Sequence, residues 1–158
     1  VITVLKGHSG EVSALAFFSD GSRVVTGSYD STARVWDTRT GQTLAEFKGH
    51  SALLQSVAVS ADGTRLVTGA FQDATRVWDV RSGQHIAVLK GDVWGAKYVA
   101  VTADGNRVLT AESENTVRVW DARTGQLLAE LKGHTNEVRA VAVSGDGSRV
   151  VTGSLDRT

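Results

Sequence analysis

The chain consists of short apolar runs separated by turn-forming residues, and this pattern predicts β-strands throughout. In the first repeat unit the runs 12–18, 23–27, 32–36 and 44–47 have strand length and are rich in valine, leucine and phenylalanine. Asp20-Gly21 lies between the first two runs, and an Asp-Gly pair tolerates the positive φ of a tight hairpin. We therefore predict four antiparallel strands in this unit.

The unit recurs at a constant interval. Trp36, Trp78 and Trp120 are each separated by 42 residues. The same interval relates four glycines that follow lysine and four threonines of the second strand: Gly7, Gly49, Gly91 and Gly133, and Thr26, Thr68, Thr110 and Thr152. We therefore predict one domain over residues 1–158, with repeats at about 6–47, 48–89, 90–131 and 132–158 plus residues 1–5.

Several predicted strands, among them 96–101 and 138–143, are apolar on both faces. Such strands must be covered on both sides. Small four-stranded sheets achieve this when they stack face to face around an axis. We therefore predict an all-β fold, a β-propeller with one blade per repeat and an incomplete last blade.

The motifs Lys6-Gly7-His8, 24–30 and Arg34-Val35-Trp36-Asp37 resemble those of the WD-repeat family, and the resemblance covers the whole chain. In that family a histidine, a hydroxyl, an aspartate and the third-strand tryptophan form a hydrogen-bonded tetrad in each blade. The resemblance leaves either Thr26 or Ser28 as the first hydroxyl, because both lie on the same side of the strand. The implied structural tetrad residues are His8, Thr26, Ser28, Asp30, Trp36, His50, Thr68, Trp78, Thr110, Trp120, His134, Thr152 and Asp156.

The later repeats depart from this pattern. Gln72 stands where the second repeat should have its aspartate. In the third repeat Asp92 replaces the histidine and Glu114 the aspartate, and we expect this tetrad to be broken because two facing acids cannot reproduce the network. The fourth repeat has no tryptophan.

The ends of the chain suggest assembly. Residues 1–5 have the register of an outermost strand, and the edge at residues 149–158 would offer unpaired backbone groups. Four blades make a tight ring for a family whose members resemble seven- or eight-bladed wheels. We expect a homo-oligomer, a dimer that closes an eight-bladed ring, with the alternative that the chain is part of a longer polypeptide.

Loop positions that differ between repeats are candidates for partner binding on the rim of the propeller. In WD-repeat proteins three such positions border the central opening, where peptides and partner domains dock. The resemblance implies these partner-binding residues: Tyr29, Phe71, Leu155, Ser13, Gln55, Lys97, Arg139, Glu11, Leu53 and Glu137. We expect Trp94, which lies nearby in sequence, to pack against the neighbouring blade.

Composition narrows the function. Lysine plus arginine equals aspartate plus glutamate at 17 each, so the chain lacks the net positive charge that attracts nucleic acid or an anionic membrane. The chain contains no cysteine, which suits a reducing cytoplasm, and its apolar runs are far shorter than a bilayer span. We predict no cofactor and no metal, because His8, His50 and His134 lie one per blade around the ring.

A hydrolase triad of His8, Asp30 and a hydroxyl is the catalytic alternative. The set recurs in more than one repeat, whereas catalysis needs one exposed nucleophile, so we predict a structural network and no enzyme. Glu112 and Glu114 are the nearest acid candidates for a propeller-based hydrolase or lyase. The predicted function is a scaffold that binds protein or peptide partners, and the alternative is an engineered or fragmentary self-assembling unit with no natural ligand.

Overall fold

The computed structural model describes residues 3–113 and 115–158. All the regular elements in these ranges are β-strands. In chain order the strands are β1 Val12–Phe17, β2 Arg23–Ser28, β3 Ala33–Asp37, β4 Thr43–Phe47, β5 Leu54–Val59, β6 Arg65–Ala70, β7 Asp73–Asp79, β8 His85–Leu89, β9 Tyr98–Val101, β10 Arg107–Ala111, β11 Val117–Asp121, β12 Leu127–Leu131, β13 Val138–Val143 and β14 Val150–Ser154.

The strands form three four-stranded antiparallel sheets and one two-stranded sheet, in the orders β1-β2-β3-β4, β5-β6-β7-β8, β9-β10-β11-β12 and β13-β14. The Asp-Gly pairs lie between the first and second strand of each sheet. Gly21 has a φ of 67°, and its amide donates to the carbonyl of Phe18 at 2.9 Å. The all-β architecture of repeated antiparallel blades is therefore confirmed.

Successive blades pack face to face. Val57 and Val59 of the second blade lie in the same apolar cluster as Ala14 and Ala16 of the first. The interface between the second and third blades repeats this arrangement, and so does the interface between the third and fourth. Because strand side chains alternate between faces, the inner strands present apolar residues to both neighbours, with alanines such as Ala14, Ala16 and Ala58 on the side of the next blade. This stacking accounts for strands that are apolar on both faces.

The predicted outer strand at residues 1–5 is only partly within the described ranges, because Val1 and Ile2 lie outside them. Residues 3–5 do not belong to a strand of any described sheet. The hydroxyl of Thr3 donates instead to the carbonyl of Arg39 at 3.2 Å, beside the β3–β4 turn of the first blade. The single chain offers residues 3–5 no partner strand among its described residues, so the expected pairing with another copy stays a prediction.

Candidate functional site

The first blade contains a closed network of four side chains. His8 Nδ1 lies 2.8 Å from Asp30 Oδ2, and His8 Nε2 lies 2.7 Å from Thr26 Oγ1. Trp36 Nε1 donates to the same hydroxyl at 2.7 Å. Because the indole can only donate, the Thr26 hydroxyl donates its proton to His8 Nε2, and Nδ1–H donates to Asp30. The hydroxyl of the network is therefore that of Thr26, whereas Ser28 Oγ accepts from the Asp30 amide at 3.1 Å.

Asp30 is held as a carboxylate by several donors. Its burial raises its pKa, but hydrogen bonds from Thr32, His8 and the Ser9 amide outweigh this and hold the pKa well below its ordinary value. The Thr32 hydroxyl donates at 2.6 Å and the Ser9 amide at 3.0 Å. A carboxylate with this many donors anchors the loop before β1 to the turn after β2.

In the second blade the acid is Asp73. His50 Nδ1 lies 2.9 Å from Asp73 Oδ2, and the Ser51 amide donates to the same oxygen at 3.0 Å. The expectation that Gln72 takes the acid position was wrong. Gln72 has a φ of 53°, and Ala70 pairs directly with Asp73, so the turn is tighter than in the first blade and moves the next residue into the acid position.

The histidine of this second network is neutral. Burial lowers the pKa of His50 to about 4, although Asp73 acts in the opposite direction. Its Nε2 lies 2.7 Å from Thr68 Oγ1, which accepts from Trp78 Nε1 at 2.8 Å. A neutral ring is the form that this network needs, because Nε2 must accept the threonine proton.

In the third blade a glutamate takes the place of the imidazole. Glu112 is almost fully buried, and its Oε1 accepts from the Thr110 hydroxyl at 2.8 Å. Its Oε2 accepts from the Asp92 amide at 2.8 Å and forms an ion pair with Arg118. Trp120 Nε1 still donates to Thr110 at 2.8 Å. Glu112, which the sequence offered as an acid candidate for catalysis, therefore has structural partners of fixed geometry.

The predicted pair of facing acids in this blade, Asp92 and Glu114, stays a prediction because Glu114 lies outside the described residues. Asp92 accepts from the amide of Ser113 at 2.9 Å and from its hydroxyl at 2.6 Å, so it binds the β10–β11 turn. A side chain at Gly91 would collide with the Glu112 carboxylate. The spacing of Glu112, which lies two residues after Thr110 and so on the same side of the chain, is the sequence signal that could have identified it.

The fourth blade keeps the histidine, the hydroxyl and the acid. His134 Nδ1 lies 2.8 Å from Asp156 Oδ2, and Nε2 lies 2.8 Å from Thr152 Oγ1. The Thr158 hydroxyl donates to Asp156 at 2.7 Å, as Thr32 does to Asp30. The turn after β14 is thus anchored in the same way as the turn after β2.

The loops at this end of the sheets carry exposed apolar side chains. Tyr29, Phe71 and Leu155 are 45%, 36% and 50% exposed. Each is held by its backbone amide, which donates to the carbonyl at the equivalent position before the first strand of its own blade: Glu11, Leu53 and Glu137. We call this end of the sheets the rim, and these bonds place the three side chains at equivalent positions on it.

The four predicted residues at the start of the inner strands differ in their contacts. Ser13 Oγ donates to the carbonyl of Leu54 at 2.6 Å and so joins the first blade to the second. Lys97 Nζ contacts Glu137 Oε1 at 2.6 Å, and Arg139 contacts Glu137 Oε2 at 3.0 Å. Gln55 is half-buried. The structure thus brings Lys97, Glu137 and Arg139 together and gives Ser13 a contact between blades.

Trp94 of the third blade lies against Phe71 of the second, which is the neighbouring blade, but its ring is not buried there. It is 51% exposed, and its ring lies 6.2 Å from that of Phe71, measured between centroids. The two rings border a cavity of about 260 Å³, whose other lining residues are Gln55, Gly95, Lys97, Glu112, Ser113 and Glu137. This cavity combines residues of the second, third and fourth blades.

The family model described as "WD domain, G-beta repeat" matches residues 1–37, 41–79, 83–121 and 125–158. The chain belongs to this WD-repeat family. Curated relatives match over one repeat: a guanine nucleotide-binding protein subunit beta of Nicotiana tabacum is 53% identical over 38 residues, which are 24% of this chain and 10% of the relative. The periodic tryptophan protein 2 homolog of Schizosaccharomyces pombe is 49% identical over 37 residues, 23% of this chain and 4% of the relative.

The matched part of this WD-repeat chain therefore spans a tenth or less of those two relatives. Among the residues that the structure describes, no three His, Cys, Asp or Glu side chains are grouped so that they could hold a metal ion. In the same residues no helix is long and apolar enough to cross a membrane.

Proposed function

We propose that this WD-repeat chain is a non-catalytic scaffold that binds protein or peptide partners on its rim. The observation that carries the proposal is the row formed by Tyr29, Phe71 and Leu155, each partly exposed and each held by a backbone hydrogen bond. Large apolar side chains on a rigid frame, bordered by charged groups, are typical of recognition surfaces. The WD-repeat membership and the G-beta-type relatives support a role in protein interaction.

The hydrogen-bonded networks of the blades argue against catalysis. Thr26 and Thr68 are buried and already take part in two hydrogen bonds each, so neither hydroxyl is available to attack a substrate. The arrangement recurs in the first, second and fourth blades, which indicates a structural purpose. With no net charge on the chain, the proposed partner is a protein segment and not a nucleic acid.

The test compares captured partners across variants. The immobilised chain is used to capture proteins, and the affinity of each is then measured for wild type and for the double variant Tyr29→Ala/Phe71→Ala. We expect the double variant to lose at least about tenfold in affinity, because buried aromatic anchors dominate binding energies. The matched control is Leu44→Ala/Leu128→Ala, which removes apolar side chains from the outer strands that are at least as exposed as those of the rim. Unchanged affinity in the rim variant would contradict the proposal.

A second candidate function is self-assembly, favoured by the outward faces of the first and last blades. Leu15 and Phe17 of β1 are 63% and 61% exposed, whereas Val57, which is equivalent to Leu15, is 9% exposed inside the stack. Val151 on β14 is 69% exposed, although the equivalent Val67 is fully buried. These residues occupy positions that face a neighbouring blade elsewhere in the chain.

The residues on the two outer faces follow the pattern of the internal interfaces. Inside the stack, large residues of one inner strand pack on alanines of the preceding blade, as Val57 and Val59 do on Ala14 and Ala16. The first blade presents Leu15 and Phe17, and the last presents the exposed Ala140 and Ala142. We propose that a second copy stacks on each face, so that two chains form an eight-bladed ring.

Light scattering of the purified chain tests this assembly. We expect a particle of twice the 16.7 kDa chain mass, and we expect Leu15→Ser/Phe17→Ser to reduce it to one chain. The control Leu44→Ser/Leu128→Ser changes exposed leucines of the outer strands and should leave the assembly intact. A wild-type chain that stays at 16.7 kDa across a concentration series would rule out the assembly.

A further inference from the structure

The cavity between Phe71 and Trp94 depends on a loop that differs from its equivalents. Trp94 has Gly10, Ala52 and Asn136 as its equivalents in the other repeats, and Gly95 has Glu11, Leu53 and Glu137. Gly95 has a φ of 76°, and a side chain there would collide with the carbonyl of Ala70. Only glycine therefore allows the loop to lie this close to the second blade.

Two backbone hydrogen bonds of Trp94, one through its amide and one through its carbonyl, fix its position. Its amide donates to Asp92 Oδ1 at 2.9 Å, and its carbonyl accepts from the Gln72 amide at 2.9 Å. The loop of the third blade is thus joined to the turn of the second. As a result the Trp94 ring lies beside Phe71 without being buried, which leaves ring surface free for a ligand.

The charges at the cavity favour an anion. The Glu112 carboxylate is buried and paired with Arg118, so it has no exposed charge to offer a ligand. Glu137 is shared between Lys97 and Arg139, at 2.6 Å and 3.0 Å. Lys97 and Arg139 are both about half-exposed, so two accessible cations share a single carboxylate. Asp92 also lies beside the rings, but its oxygens accept from the Trp94 amide and from the amide and hydroxyl of Ser113. The charged groups that remain for a ligand at this cavity are therefore Lys97 and Arg139.

The size of the cavity limits its occupant. Pockets for drug-sized molecules have volumes of roughly 300–1,000 Å³, and this cavity of about 260 Å³ lies below that range. Its aromatic walls suit the insertion of one apolar side chain. A chain segment that runs past the cavity would carry its neighbouring side chains over Lys97 and Arg139.

We propose that this cavity binds a protein segment in which one large apolar side chain is flanked by aspartate or glutamate. The apolar side chain lies between Phe71 and Trp94, and the neighbouring carboxylate pairs with Lys97 and Arg139. This inference rests on the proposed rim-binding function and names the chemistry of the partner. Basic segments are disfavoured because the accessible charge beside the rings is positive.

A library of random heptapeptides displayed on phage, selected on the 158-residue chain, tests the proposal. We expect enrichment of sequences with leucine or an aromatic residue next to aspartate or glutamate. A synthetic peptide of the enriched sequence should then change the fluorescence of Trp94, since Trp36, Trp78 and Trp120 are at most 4% exposed. Enrichment of basic peptides, or of none, would overturn the proposal.

Two variants locate the binding. Trp94→Ala should weaken the synthetic peptide by at least about tenfold. Lys97→Gln changes a side chain that is 44% exposed. It should weaken the synthetic peptide by about tenfold and leave the affinity for a peptide with glutamine in place of its acids unaffected. Affinity that is unchanged in both variants would contradict the assignment.

The outcome for the cavity can be separated from the outcome for the rim. If Tyr29→Ala weakens peptide binding and both Trp94→Ala and Lys97→Gln do not, the rim proposal holds and the cavity assignment is wrong. If Tyr29→Ala/Phe71→Ala, Trp94→Ala and Lys97→Gln all bind as wild type does, both proposals are wrong.

Discussion

Glu112 accepts the hydroxyl proton of Thr110 at 2.8 Å, in the place where His50 accepts from Thr68 in the second blade. Both acceptors leave the threonine oxygen free to accept from the tryptophan, so the link to the third strand survives the change of residue. The carboxylate differs in charge, and Arg118 compensates for it. A blade can therefore exchange imidazole for carboxylate when an arginine lies beside the site.

The charge of Glu112 should be needed for stability. We expect Glu112→Gln to lower the free energy of unfolding by about 1–3 kcal/mol, because the amide that replaces the carboxylate has no charge to pair with Arg118 and only one oxygen to accept from Thr110 and the Asp92 amide. Urea denaturation measures the change. Glu130→Gln is the control, since Glu130 also pairs with Arg118, at 2.9 Å, but is more exposed, and it should cost less than about 1 kcal/mol. Equal losses of stability in the two variants would contradict a larger contribution from the buried carboxylate of Glu112.

Asp73 and Gln72 should differ sharply when substituted. We expect Asp73→Ala to cost about 1–3 kcal/mol in urea denaturation, because His50 Nδ1 and the Ser51 amide both lose their acceptor. Gln72→Gly should change stability by less than about 1 kcal/mol, since glycine adopts the φ of 53° without strain. A larger loss of stability in Gln72→Gly than in Asp73→Ala would contradict the assignment of Asp73 as the acid of this network.

The hydroxyls of Thr26 and Ser28 can be separated by a local probe. In Thr26→Val, Trp36 loses the acceptor of its indole N–H, so we expect a shifted Trp36 indole resonance in ¹H–¹⁵N spectra and a loss of about 1–3 kcal/mol. Ser28→Ala removes only the acceptor of the Asp30 amide and should leave that resonance in place. An unchanged indole signal in Thr26→Val would contradict the hydrogen bond.

Stability should fall as the pH is lowered below neutrality. The pKa of His50 is lowered from 6.5 to about 4 in the folded chain. Between these two pH values His50 is protonated in the unfolded chain and neutral in the folded one, so lowering the pH favours unfolding. The contribution is complete above pH 6.5 and is lost as the pH falls towards 4, by about 3 kcal/mol at most. Thermal unfolding of wild type and His50→Asn across this interval measures it, and the variant should show a flatter profile. Parallel profiles would show that His50 is not the group responsible.

Stability should fall further when the pH drops below about 4, the ordinary pKa of an aspartate. The pKa of Asp30 is lowered by its hydrogen bonds, so its stabilising effect is present above the unfolded value of 3.8 and disappears as the pH falls towards the lower folded value. We expect Asp30→Asn to remove part of the acid sensitivity below pH 4 and to leave the interval between 4 and 6.5 unchanged. Acid titration followed by circular dichroism separates the two intervals.

Local signals in the sequence located the strands of the first blade closely. The predicted runs 12–18, 23–27, 32–36 and 44–47 end within one residue of β1 to β4. Strand length, apolar composition and an Asp-Gly turn are properties of neighbouring residues, so they can be recognised without the rest of the fold. The 42-residue interval then extended the same interpretation to the remaining repeats.

Residues whose positions depend on the geometry of a turn could not be identified from the 42-residue interval. Counting 42 residues from Asp30 leads to Gln72, but the tighter turn after β6 brings Asp73 to His50. The exposure of Trp94 likewise depends on the bond from its carbonyl to the Gln72 amide, which joins two blades. Both outcomes depend on backbone geometry that a fixed interval does not describe.

The sequence by itself determined the repeat, the strand order within a blade and the family, because each is encoded by neighbouring residues that recur in register. The tertiary structure decided which carboxylates complete the networks and which aromatic rings remain exposed, as Glu112 and Trp94 show. Those features depend on distances between turns of adjacent blades. A shift of one residue in a turn changes which side chain reaches a buried partner, and only the packed blades determine that shift.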